Sequence, residues 1–252
     1  MRTPYPLLLA SSAALVLALG CDAPAPTGVS SPESVAAARK LIAPDLPPAE
    51  DFVAVVTNPY YPLIPGTTFR YVSETDEGLE TNVVAVTHDT KVILGITATV
   101  VHDQVFVDGE LAEDTFDWFA QDRFGNVWYL GEDSCEFEDG ECVSTEGSWE
   151  AGVDGAEAGI IMWADPAAHR GKTYRQENFE GEAEDVAKVL RLNAKVDVPY
   201  GEFTGCLETM DWSLLERGVR EHKFYCPGVG LVLEVQPKGG RISNELVAIS
   251  KP

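Results

Sequence analysis

Carboxylates are the reactive groups this chain has in quantity, and they crowd its middle. Asp and Glu occur 17 times from Asp103 to Glu157, while Arg123 is the only Lys or Arg between Lys91 and Arg170. Glu132, Asp133, Glu136, Glu138, Asp139 and Glu141 fall on one short hairpin around Asp139-Gly140. Hard cations take oxygen ligands of this kind, so these six form the candidate metal site, and calcium is the one cofactor they suggest. Two features count against a built site: no D-x-[DN]-x-[DN]-G loop is present, and like charges on a hairpin can simply face solvent.

A second constellation is Asp117-Trp118-Phe119-Ala120-Gln121-Asp122 followed by Gly125-Asn126-Val127-Trp128-Tyr129. Strand alternation turns Trp118 and Ala120 one way and Asp117, Phe119 and Gln121 the other, so one face can bury aromatic area while the other offers a carboxylate and an amide. Asp117, Trp118, Gln121 and Trp128 are therefore the candidate ligand-binding residues. Aromatic platforms beside paired carboxylates also suit an enzyme acting on envelope glycans, with one acid and one nucleophile. In so acidic a chain such pairs arise by chance, and Trp118, Trp128, Trp149 and Trp212 occupy strand positions that need core filling, so no catalytic residue is assigned. His88, His102, His169 and His222 lie in no H-E-x-x-H pattern, and G-x-S-x-G, P-loop and dinucleotide fingerprints are absent.

The elements that must position these groups begin with an address. Leu7 to Leu19 is apolar, preceded by Arg2 and followed by Gly20-Cys21. Thirteen residues fall short of the ~20 that span a bilayer and match a signal-peptide core. The segment resembles a bacterial lipoprotein signal, removed as residues 1–20, so that Cys21 carries acyl chains such as palmitate. Ala18 departs from the branched residue usual there, and the alternative is an ordinary secretory signal cleaved nearby. Either way the protein is expected in the cell envelope, and with acylation it is held to a membrane on a periplasmic or cell-surface face. Residues 21–50, rich in Ala, Pro and Ser, read as a flexible tether reaching about 3.1 Å per residue if extended.

Cys135, Cys142, Cys206 and Cys226 remain, an even number in an exported chain, which favours disulfides. Cys135 and Cys142 bracket EFEDGE, whose Asp139-Gly140 turn brings the flanking strands together, so they are expected to pair and to leave Cys206 for Cys226. Loop closure assigns about 2.5 kcal/mol to the short ring and about 3 kcal/mol to the longer one. A four-thiolate metal site is disfavoured, because there is no C-x-x-C pair and the flanks are acidic.

Loss of residues 1–20 removes Arg2 and moves the formal charge from −23 to −24. Such a surface repels phosphate backbones and anionic headgroups, which excludes nucleic acid as a partner and leaves acyl chains to hold the protein at a membrane. From Thr67 onward, short β-rich segments alternate with turn signals, as in an antiparallel meander. Expected strands are Thr67–Ser73, Glu80–Thr87, Val92–Val107, Thr115–Gln121, Asn126–Leu130 and Glu141–Trp149, then Lys172–Phe179, Asp185–Val198, Phe203–Ser213, Arg220–Tyr225, Val229–Gln236 and Glu245–Ser250. Asp108-Gly109 suits a type I′ turn. Ala151 to Arg170 reads as an irregular edge connection rather than a lid. The fold expected for residues 51–252 is a single all-β domain: one antiparallel meander in a curved sheet, half-barrel or sandwich.

The motif from Asp117 to Tyr129 resembles a family of uncharacterised exported bacterial proteins with a DW[YF]AQD…GNVWY hairpin. The resemblance extends from Asn58-Pro59-Tyr60 to Pro199-Tyr200-Gly201-Glu202-Phe203 and Pro227-Gly228-Val229-Gly230. The last two segments are also similar to half-barrel periplasmic lipoproteins related to lipid and lipoprotein carriers, which implies a curved sheet over an apolar groove. Together these readings favour a membrane-anchored, non-catalytic binding or cell-envelope protein whose ligand is apolar, a glycan or a cation. Replacing Cys21 by Ser is expected to move the protein from the membrane to the soluble fraction; retention in membranes would show that something other than acylation holds it.

Overall fold

The computed structural model describes residues 41–75, 78–216, 218–237 and 241–252. The signal segment, Cys21 and most of the expected tether lie outside the described residues. In chain order the strands are β1 (Leu41–Ile42), β2 (Phe52–Val53), β3 (Val56–Asn58), β4 (Tyr61–Leu63), β5 (Thr68–Thr75), β6 (Gly78–Ile93), β7 (Ile96–Val107), β8 (Glu110–Asp122), β9 (Val127–Glu138) and β10 (Glu141–Ser144). They continue with β11 (Trp149–Glu150), β12 (Glu157–Met162), β13 (Thr173–Arg175), β14 (Glu177–Asn178), β15 (Asp185–Val198), β16 (Gly201–Ser213), β17 (Glu221–Cys226), β18 (Gly230–Gln236) and β19 (Arg241–Ser250). Helical structure among the described residues is limited to two 3-10 turns, Ala49–Asp51 and Pro166–His169.

Two antiparallel meanders make the sheet, β5 to β9 and β15 to β19, and β19 pairs with β5 to join them. The two flanks meet at residues 173–178. There β13 pairs with β15, while β14, one residue further on, pairs with β12, which itself lies against β9. No continuous ladder runs between β12 and β15, so the curved sheet is bridged at this corner and not closed. The short strand β1 runs parallel to β13, and Leu46, Ala49 and Phe52 pack on the core. The last ten residues of the expected tether therefore belong to the domain.

The all-β expectation holds, and both disulfides form as expected: Cys135 with Cys142, and Cys206 with Cys226 across neighbouring β16 and β17. Asp108 and Gly109 both take positive φ, 50° and 88°, the requirement of a type I′ turn. Three expected boundaries are corrected. Val92–Val107 is not one strand; it folds back at Leu94-Gly95, where φ is 52° and 81°, a turn hidden because a branched leucine rarely sits there. Glu141–Trp149 is two short pieces, β10 and β11, laid end to end along β9. Within the supposed irregular segment, residues 157–162 form β12, whose Ile160 and Met162 are fully buried.

The corner at β12 is tight. A Cβ on Gly159 would lie 2.1 Å from the carbonyl oxygen of Gln176, backbone that cannot swing aside. Gly140 meets nothing within 4 Å and carries only its φ of +79°. Gly159→Ala is expected to lower unfolding free energy by about 3 kcal/mol, against roughly 1 kcal/mol for Gly140→Ala. Urea denaturation measures both, and equal losses would show that the crossing is not tight.

Candidate functional site

The curved sheet has an inner face, and strand alternation decides what points there. Phe69 and Tyr71 from β5, Val84 from β6 and Val101 from β7 face inward two residues apart or directly across a ladder. Asp103 from β7, Asp117 and Phe119 from β8 and Glu132 from β9 share that face, as do Lys223, Tyr225 and Glu234 from β17 and β18. Together they enclose a cavity of about 140 Å³.

One mouth is covered by the β3–β4 hairpin, whose Tyr61, Pro62 and Leu63 line the cavity. The hairpin is pinned from two sides. Gln121 Oε1 accepts from the backbone N–H groups of Thr57 and Asn58, both at 2.8 Å, and Asn58 Nδ2 donates to the carbonyls of Gly125 and Trp163. From the other side, Gly228 N donates to the carbonyl of Pro59 at 2.7 Å. The segments Asn58-Pro59-Tyr60, Asp117 to Tyr129 and Pro227 to Gly230, which stand out in the sequence, thus meet around this hairpin and together hold it over the chamber.

The chamber chemistry centres on Asp117 and Glu132, which stand directly opposite each other across the β8–β9 ladder. Two carboxylates in that position repel unless something is placed between them. Tyr129 Oη lies there, 2.5 Å from Asp117 Oδ1 and 2.9 Å from Glu132 Oε2. Asp103, which pairs with Asn82 Nδ2, adds a third acid. Across the chamber, Lys223 Nζ sits 4.0 Å from Glu234 Oε2.

Burial dominates the ionisation of these groups. It pushes Asp117 up to about 7, reinforced by Glu113 and opposed by the Tyr129 hydrogen bond. Asp103, Glu132, Glu177 and Glu234 are all raised well above the usual carboxylate range, first by burial and then by a neighbouring carboxylate: Asp117 for Asp103 and Glu132, Asp185 for Glu177 and Glu221 for Glu234. Asp185 is pushed up to about 6, with Lys223 pulling the other way. Lys223 stays charged: burial lowers its affinity for the proton, but Glu234 and Asp211 around it outweigh that. The interior therefore favours the protonated form of its carboxyl groups more than water does.

The expected ligand-binding residues divide. Asp117 lines the chamber, and Gln121 secures the hairpin over it. Trp118 and Trp128 are corrected to the opposite face of the sheet: Lys91 Nζ lies 3.1 Å from the centre of the Trp118 ring, while Trp128 packs edge-on to Phe52 and donates to Asp122. The six acids of the supposed calcium hairpin do not gather either. Glu132 is buried within the chamber while Glu138, Asp139 and Glu141 are exposed, and among the described residues no three His, Cys, Asp or Glu side chains converge to hold a metal ion. Lys223, Glu234 and Asn244 join the site from over 90 residues further along, with no local motif to announce them.

No protein-family model matches the chain, and no curated protein matches it. Among solved structures, a chain described as a "putative lipoprotein" from Parabacteroides distasonis superposes with a TM-score of 0.41 and 10% identity, over 76% of this chain and 98% of that one. A likeness of that degree carries over neither fold nor function.

Raised carboxyl pKa values have a definite consequence for stability. Below the unfolded value of about 4 both states hold the proton. As pH rises from there to about 7, the unfolded chain gives its protons up first, so it binds fewer than the native state and unfolding becomes easier. Stability is expected to fall between pH 4.5 and 7.5, and Asp117→Asn to flatten that fall and raise stability near pH 7.5. Denaturation midpoints across this range provide the check; a midpoint that climbs with pH would show that the interior acids are ionised.

Proposed function

We propose that this is an exported, lipid-anchored, non-catalytic binding protein that uses the chamber inside its curved sheet as a ligand site. The supporting observation is the chamber itself: a cavity of about 140 Å³ walled by aromatic rings and by polar groups from six strands or more, the usual composition of a small-molecule site. Sequence supports the address through the signal-like run ending at Cys21. Among the described residues no helix is long and apolar enough to cross a membrane; in this reading the anchor is the acyl chains on Cys21.

The wall chemistry selects against a lipid ligand. An acyl chain laid against Asp103, Asp117, Glu132 and Glu234 would strip their water and return no hydrogen bond, at a cost of roughly 1–3 kcal/mol per group. The space is also on the scale of a single aromatic ring, since an engineered cavity of ~150 Å³ takes up benzene. A small polar ligand fits where a fatty acid does not.

One observation favours a second reading, an enzyme acting on envelope glycans. Asp117 and Glu132 stand opposite each other on the ladder, with an oxygen of each within 2.5 and 2.9 Å of Tyr129 Oη, and a close pair of carboxyls is what a retaining glycosidase uses. The phenol weighs against it, because Tyr129 fills the space between the two carboxyls where a scissile bond would have to lie.

Native mass spectrometry of the protein from a periplasmic fraction, before and after organic extraction, separates the two readings when combined with a glycan-hydrolysis assay. The expected result is an extractable small-molecule adduct and no hydrolysis. Release of reducing sugar from peptidoglycan that Asp117→Asn abolishes would establish the enzyme instead, and a bare mass with no hydrolysis would contradict both.

A further inference from the structure

Beside the chamber lies a second cavity, a groove of about 250 Å³. Pro62, Phe69 and Val229 line both spaces, so chamber and groove share a wall. Their chemistry is opposite. Asp103, Asp117, Glu132 and Glu234 face the chamber, whereas among the described residues no Asp or Glu side chain lines the groove. Ile64 and Ile249 extend its apolar wall, and Thr67 and the exposed Lys251 are its polar side chains. At about 140 and 250 Å³ each space falls short of the ~300 Å³ at which ligand pockets begin, and joined they exceed it.

A line of contacts runs from the acids to the shared wall. Tyr129 Oη lies 2.9 Å from Glu132 Oε2, the Tyr129 ring stacks on Phe119 with centroids 4.7 Å apart, and Tyr61 meets Phe119 edge-on at 5.3 Å. Tyr61 is followed directly by Pro62. At the polar end of this line Glu132 is 5% exposed, and its Oε1 has no hydrogen-bond partner among the described residues. A hydroxyl both donates and accepts, so it serves that oxygen whether or not the carboxyl holds a proton. At the other end Pro62 belongs to a hairpin that forms its own two-stranded sheet, apart from the main ladder. The hairpin meets the turn at 227–230 through the bond from Gly228 N to the Pro59 carbonyl and through ordinary packing, since a Cβ on Gly230 would lie 3.8 Å from Pro62 Cδ. The two spaces adjoin at this seam.

We infer that chamber and groove are two halves of one site for a small amphiphile, a single hydroxyl-bearing ring with a short alkyl tail. The hydroxyl reaches Glu132, the ring lies among Tyr61, Phe119 and Tyr129, and the tail passes between Pro62 and Val229 into the groove. This rests on the chamber being the ligand site and extends it past the shared wall. The cost that bars a fatty acid from the chamber does not fall on such a tail, because it is buried against Ile64 and Ile249 and not against the acids. A ring of this size matches the chamber, as benzene matches a cavity of ~150 Å³.

The test is isothermal titration calorimetry on the exported Cys21→Ser chain at neutral pH. The probes are phenol, 4-ethylphenol, 4-butylphenol and 4-hexylphenol, with butylbenzene as the analogue that lacks the hydroxyl. The expected result is saturable binding that tightens by about fourfold for each CH₂ added until the groove is full, with butylbenzene at least about tenfold weaker than 4-butylphenol. Ile64 lines the groove and not the chamber, so Ile64→Glu should weaken 4-hexylphenol by about tenfold or more and leave phenol unchanged. Ile249→Glu, on another strand, repeats the test should Ile64→Glu fail to fold. Phenol binding that gains nothing from a tail would overturn the two-part site while upholding the chamber. A gain from the tail that survives both Glu variants would overturn it too, since the tail would then lie elsewhere. Silence from the whole series would also overturn it, and the co-purification result would decide the chamber separately.

Discussion

The constraint on which the rest of this structure depends is the cost of keeping carboxyl groups away from water. At least seven acids, Asp103, Asp117, Glu132, Glu177, Asp185, Asp211 and Glu234, are driven upward in pKa by burial, and among the described residues that line the chamber Lys223 is the one Lys or Arg. In a medium of low effective dielectric these charges cannot coexist, and protons resolve the conflict. Tyr129 bridges Asp117 and Glu132, and Asn82 donates to Asp103, but the wall retains unmet acceptors. A core built only for stability would have used apolar residues in their place, since buried charge is weak evidence of stabilisation.

The fold makes such an interior attainable. Long strands with alternating side chains curl until their inner faces enclose a space, and the β3–β4 hairpin is drawn over one mouth by hydrogen bonds from both meanders. The outer face stays conventional: Trp118 beneath Lys91, and Trp128 against Phe52 and Asp122. Cys206–Cys226 fastens β16 to β17, the strand that carries Lys223. The acidic exterior, in contrast, favours solubility and repels anionic headgroups.

What is legible in the sequence follows from how local each signal is. Asp108-Gly109 and the Cys135–Cys142 ring announce themselves within a few residues, and alternation from Thr67 onward suffices for an all-β architecture. Leu94-Gly95 does not, because its turn is imposed by pairing between β6 and β7 in defiance of leucine's preference. β12 is hidden by the turn glycines Gly152 and Gly155 just before it and by its own Gly159, which serves a close backbone crossing. For the site, Asp117 is legible as one face of a strand, but alternation cannot say which face looks into a chamber. Trp118 and Trp128 look equally suited to a ligand for that reason. Glu132 reads like its exposed neighbours, since acids in a row look alike until curvature separates them. Glu234, Asn244 and Lys223 carry no local mark; they matter only because β17 to β19 close the far wall.

Side-chain carboxyl ¹³C chemical shifts, followed by NMR across pH 3 to 9, address the protonated interior most directly. Asp117 is expected to titrate near 7, and Glu132 well above the ordinary carboxylate value of about 4. If every Asp and Glu, including Asp117 and Glu132, titrated below about 5, the interior would be ionised and hydrated, and a proton-holding chamber would be contradicted.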